Sequence, residues 1–150
     1  MRLSHRKRVG ATAVESALVY PIMFLLILGL MVGAAGIFRY QEVSSLARRG
    51  ARYAIVHGTQ YAKETGNAAA TPADIYNNAM APHAVLLDTA HLNYSVVYDK
   101  TNEPYATSIV NGDIRATRNT VSVTVTYQWN PLLIFPRVTF SSTSVMPMTY

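Results

Sequence analysis

The chain of 150 residues contains no cysteine. That excludes disulfides, thiolate nucleophiles and thiolate metal sites together, and leaves the compartment open, because exported bacterial domains also dispense with disulfides. Charge is scarce too: Asp, Glu, Lys and Arg make up 14% of the residues, and none falls between positions 16 and 38. The net charge of +5 and pI near 9.6 invite a nucleic-acid reading. However, four of the thirteen basic residues, Arg2, Arg6, Lys7 and Arg8, lie in the first eight positions, and the remainder holds 9 basic against 8 acidic residues. The basic pI belongs to the N-terminal tail, and no basic residues interleave with the valine and tyrosine stripes to make a base-stacking platform. No nucleic-acid partner is expected.

Catalytic machinery is equally sparse. His57, His83 and His91 lack the spacing and carboxylate neighbours of metal sites. No serine stands in a nucleophile elbow, and Gly112 belongs to a turn signal, not a phosphate loop. The sequence points to no active site, no metal and no cofactor, hence to a protein that is not an enzyme.

Long hydrophobic runs are limited to one. Residues 16–38 form 23 uncharged positions, and a helix of that length covers about 35 Å, enough for a hydrocarbon core of about 30 Å. The next apolar runs, 84–87 and 132–135, are far too short to span. Glu15 marks the N-terminal edge, and Arg6, Lys7 and Arg8 stop just before Gly10. Arg39, Arg48, Arg49 and Arg52 nearly balance the leading positives. The denser leading cluster, with no acid in it, and the freedom of a long domain to cross whatever its charge, favour a cytoplasmic N-terminus.

Three readings fit the first forty residues. A cleaved secretory signal would cut near Val32-Gly33-Ala34, but the apolar region is longer than the usual 7 to 15 residues or so. An uncleaved anchor explains everything except the order of residues around Gly10. The third is a prepilin leader, in which a short basic segment ends in Gly10 and an acid follows five positions later. On those residues the chain resembles the type IV pilin class. The resemblance implies cleavage between Gly10 and Ala11 by a prepilin peptidase, and a role for Glu15 in neutralising the new α-amino group of a neighbouring subunit during assembly.

A narrower resemblance is carried by Gly10, Ala13-Val14-Glu15, Ala17 and Pro21, and by residues 47–54, Ala-Arg-Arg-Gly-Ala-Arg-Tyr-Ala, which include Arg48, Arg49, Gly50, Ala51, Arg52 and Tyr53. These are similar to the TadE-like family of the Tad (tight adherence, Flp) pilus. Ser16 stands where the major pilin of that system usually has an aromatic. Together with the length, that departure implies a minor pilin or pseudopilin. Its implied partners are the prepilin peptidase, other pilins reached through the N-terminal helix, and the assembly platform. The implied location is the bacterial cytoplasmic membrane, single-pass, with the C-terminal domain outside. The alternative is a signal-anchored binding module of the cell envelope that never enters a fibre.

Along the chain, Pro21 predicts a kink inside the span, and Gly29 and Gly33 give a GxxxG spacing that lets another helix approach. From Val43, the positions Val43, Leu46, Ala47, Gly50, Ala51 and Ala54 recur at threes and fours opposite Gln41, Ser44, Arg48, Arg49 and Arg52. This predicts an amphipathic continuation to about His57, broken gently at Pro21 and Gly50, with the arginines on a solvated face. Gly58 ends it, and 59–70 reads as a loop. Thr71-Pro72-Ala73-Asp74 starts a short helix to about Met80, closed by Pro82. Period-two alternation marks strands over 92–98 and 121–129, with further strands at 105–110 and 138–146 and a hairpin turn at Asn111-Gly112. The expected fold is α+β and type IV pilin-like, a long helix on a small antiparallel sheet. Its expected division is a leader (1–10), a membrane helix (11–38), its amphipathic continuation (39–58) and an extracytoplasmic domain (59–150).

Overall fold

A computed structural model describes residues 9–99, 106–110, 113–117, 119–131 and 135–148. Helix α1, Val9–Val56, runs unbroken through Pro21 and Gly50. The chain divides into two compact units between Ile37 and Phe38.

In the first unit α1 is bare. Leu18, Phe24, Leu25, Leu30 and Met31 are 62 to 71% exposed. Only 6% of its most apolar window is buried, so this is no core helix of a water-soluble domain. It is long and apolar enough to cross a membrane.

In the second unit the same helix changes character. Val43, Leu46, Ala47, Gly50, Ala51 and Ala54 are all buried, the amphipathic stripe that the spacing predicts. Their cover is an antiparallel sheet of β1 (Leu92–Tyr98), β4 (Thr120–Trp129) and β5 (Val138–Pro147) in the order β1-β4-β5. β4 is central, and Val121, Val123, Val125 and Tyr127 point into one core with the helix stripe. The opposite face is hydroxylic: Thr124 and Thr143 oxygens lie 2.9 Å apart, and Thr126 and Ser141 3.4 Å. Strands β2 (Ala106–Val110) and β3 (Asp113–Thr117) form a separate ribbon in which Val110 pairs with Asp113. The Asn111-Gly112 signal falls between those two residues and outside the described ones. This is an α+β layout.

Two expectations need correction. Residues 59–70 are not wholly loop, because α2 occupies Thr59–Thr65. It buries no residue, so no apolar period announces it. It is held by a Gln60–Glu64 hydrogen bond of 2.9 Å and ended by Gly66 at φ 74°, the left-handed conformation glycine adopts freely. Nor does Gly50 break the helix. A Cβ there would overlap Met80 Cε and stand 3.2 Å from Val123 Cγ1 and 3.6 Å from Ile75 Cγ2, so glycine is where the helix backbone comes closest to its cover.

Ile75 and Met80 reach that contact from α3, Pro72–Ile75, and the π-helical turn Tyr76–Met80 that continues it. The start is a reciprocal cap: Thr71 Oγ1 accepts from the Asp74 N–H, and the Asp74 carboxylate accepts from the Thr71 N–H. The Thr71 hydroxyl also donates to Asp74 Oδ2 at 2.7 Å, and this bond, with that from the Thr71 N–H, holds the Asp74 carboxyl below its ordinary pKa. A turn at Ala81–His83 follows, as Pro82 leads one to expect.

Replacing Gly50 with valine is expected to lower stability by about 1–3 kcal/mol through overpacking. Alanine should come near break-even, because Met80 Cε is a movable chain end and the gain in helix propensity is about 1 kcal/mol. Urea unfolding of the full chain in detergent distinguishes the two. Tyr98 supplies a second test: its hydroxyl is buried without a hydrogen-bond partner among the described residues, and desolvation raises its pKa above the ordinary value. A raised folded pKa means stability that is complete below the unfolded value and lost as pH climbs through the folded one. Tyr98→Phe should therefore leave stability unchanged or raise it by about 1 kcal/mol at neutral pH. It should also shrink the wild-type loss above about pH 10, as read from denaturant midpoints at both pH values.

Candidate functional site

On the outer side of α1, away from the sheet, the helix and the 79–83 segment enclose an open groove of about 510 Å³. Arg48, Arg49, Arg52, Tyr53, His57 and His83 line it. The helical period that sends Ala47, Gly50, Ala51 and Ala54 inward sends these residues outward. Arg48 Nη1 donates to Ser44 Oγ at 2.8 Å. Arg49 and Arg52 have no hydrogen bond or ion pair with any described residue. One wall is rigid: the Tyr53 and His57 rings stack at 4.0 Å, and Tyr61 from α2 leans on His57 at 4.8 Å. His57 Nδ1 lies 3.1 Å from the Tyr53 carbonyl, which can only accept, so that nitrogen carries the proton. The groove thus presents three guanidinium groups with no counter-ion among the described residues, an arrangement suited to recognising an anion.

The residues singled out near the N-terminus do not gather with this groove. Gly10 and Ala11 lie in the opening turns of α1. Glu15 is exposed and meets no described partner. Pro21 is exposed within the helix, and Gly29 and Gly33 face open space, with nothing within 4 Å of a Cβ built at either. Gly50 and Ala51 of the second block are core, whereas Arg48, Arg49 and Arg52 are exposed.

Residues 10–52 match the TadE-like protein family. The matched segment begins at Gly10, takes in Glu15 and Pro21, and ends on Arg52, so the resemblance read from those residues is borne out. The match covers 43 of the 150 residues, and the family is a structural one associated with the Tad pilus. No curated protein and no solved structure matches the chain. Beyond the TadE-like segment, the groove gains Tyr53, His57 and His83. Sequence spacing treats those histidines as unrelated, because the chain between them returns to the helix only through the packing of Ile75 and Met80. No local signal joins them.

Arg48 and Arg52 are four residues apart on one helix face, a like-charge arrangement that costs about 0.2–0.5 kcal/mol. Arg52→Gln is accordingly expected to leave stability unchanged or raise it slightly, and to flatten its dependence on salt. Thermal melts at low and high sodium chloride test this; a loss above about 1 kcal/mol would mean that Arg52 has a stabilising partner.

Proposed function

We propose that the chain is a minor pilin or pseudopilin of the Tad pilus, made as a single-pass prepilin with its leader in the cytoplasm. Its C-terminal domain lies outside the cytoplasmic membrane. The observation that carries this is the TadE-like match itself, which runs from the glycine of the processing motif through the apolar helix into the arginine block. A prepilin peptidase removes residues 1–10, leaving Ala11 as the new N-terminus. The helix then enters a bundle with other pilins and engages the assembly platform, with Gly29 and Gly33 offering a slender face. Open space around both glycines supports that use.

Glu15 is the assembly contact in this reading. A carboxylate costs about 2.5–3.5 kcal/mol at mid-bilayer, and less toward the interface, unless it is paired. Glu15 has no described partner in its own chain, and a free α-amine on a neighbouring subunit's Ala11 supplies one. The role is one of assembly and, through the fibre, of adhesion.

The expected outcome of N-terminal sequencing and intact-mass measurement on protein from its native membrane is a start at Ala11. A start at Met1 would instead identify an anchored binding module of the envelope that stays out of the fibre. Glu15→Ala should be inserted and exported normally yet fail to support piliation, as scored by electron microscopy; unchanged piliation would exclude the assembly contact.

A further inference from the structure

One helical turn, from Arg39 to Glu42, is gripped from two directions. On one side the Arg39 guanidinium lies over the Trp129 ring at 4.8 Å, Trp129 stacks on Phe140 at 5.9 Å, and Phe140 meets the Tyr40 ring edge-on at 6.2 Å. On the other side the Leu86 N–H donates to Glu42 Oε1 at 3.0 Å. Leu87 is buried and fixes that loop to the core. Its neighbours Val85 and Leu86 stand 81% and 64% exposed, at the tip of a loop whose backbone is tied down. Register puts the start of β1, the end of β4 and the start of β5 at this same end of the sheet, since Leu92 pairs with Tyr127 and Trp129 with Val138. A small cleft there is lined by His91, Trp129 and Arg137. Arg39 Nε is buried without a hydrogen-bond partner among the described residues. Asp88 faces His91 of this cleft at 3.9 Å.

The uncharged run ends at Phe38, so this turn begins one residue beyond it. Four residues of helix rise about 6 Å, within an interfacial layer roughly 5–8 Å deep on each side of the hydrocarbon. Groups that touch this turn therefore stay at headgroup level. Tryptophan and tyrosine with an apolar body and a polar tip, arginine beside them, and exposed aliphatic side chains are the set that favours that layer.

We propose that this end of the domain is seated on the bilayer from which α1 emerges. Val85 and Leu86 enter the interface, Trp129 and Tyr40 lie at headgroup depth, and Arg39 and Arg137 meet lipid phosphate groups. The seat rests on the reading of residues 16–38 as a membrane span. It leaves the Arg48-Arg49-Arg52 groove, farther along the helix, free for a partner.

Trp129 is the sole tryptophan of the chain, so its fluorescence reports the seat without labelling. The full chain is placed in phosphatidylethanolamine and phosphatidylglycerol vesicles carrying a nitroxide on the headgroup, high on the acyl chain, or near its methyl end. Flotation scores membrane insertion independently. The expected result is protein that floats, with Trp129 quenched at least about twofold more by the headgroup or shallow nitroxide than by the deep one. Glutamate at both Val85 and Leu86, positions too exposed to unsettle the core, should bring that quenching down about twofold with flotation unchanged. Floating protein whose Trp129 answers to iodide but to no lipid nitroxide overturns the seat while the span stands. Shielding of Trp129 from iodide and lipid alike means that protein covers this face, and also overturns the seat. Failure to float overturns span and seat together.

Discussion

A three-stranded sheet with one apolar face must bury that face, and in this chain the helix segment from Val43 to Ala54 does it. Everything in the second unit follows from how closely that helix can come. Ala47, Gly50, Ala51 and Ala54 keep the inward side thin, and β4 answers with Val123 against the gap above Gly50. A bulkier stripe would lift the helix from β4 and leave Ile75 and Met80 without a site to fill. With no cysteine to staple the unit, the described core rests on close packing among aliphatic groups, each worth about 1.5–3 kcal/mol when fully buried. The arginine groove is the other side of the same arrangement, since the period that fixes the small residues inward fixes Arg48, Arg49 and Arg52 outward.

One helix therefore serves two environments. Up to Ile37 its apolar side chains surround it and are left bare; from Val43 they are confined to a stripe and covered. The change falls where the first charge after the span, Arg39, appears in the sequence. There the guanidinium is laid on an indole face, an arrangement that tolerates partial burial because the ring supplies electron density without requiring a hydrogen bond.

Features governed by local period or local capping were legible in the sequence. The six-position stripe on α1, the alternation in β4, and the Thr71-Pro72-Asp74 cap all depend on neighbours within four residues, and each stands in the structure. The span is legible for the same reason, as an uninterrupted composition. What was not legible depends on residues brought together over long separations, or on elements that bury nothing. Helix α2 belongs to the second kind: its support is a left-handed Gly66 and a tilted contact of the Tyr61 ring with His57, neither of which leaves an apolar rhythm. Gly50 belongs to the first, because a glycine in a helix reads as a weak point until Val123 and Met80 are seen against it. The placing of His57 and His83 in one groove likewise requires the return of the 71–83 segment to the helix to be known, and the meeting of Tyr40 and Trp129 with Phe140 requires the register of the sheet.

The two acids on α1 set these ideas side by side. Glu42 is partly buried, but Oε1 takes the Leu86 N–H, and so its charge fixes a loop to the helix. Glu15 is the other acid on α1, and no described group of its own chain meets it. In water an exposed glutamate on a helix needs no explanation. Next to 23 uncharged residues that face outward on all sides it does, because the surroundings those residues require are the ones in which an unpaired carboxylate is costly. Either Glu15 stays at the interface as the plain end of a span, or it is paired by a group from outside the chain. Only in the second case is its position, at the entrance to a helix otherwise stripped of charge, a means of choosing a partner, since a correctly registered cation removes a penalty that a misregistered one leaves in place.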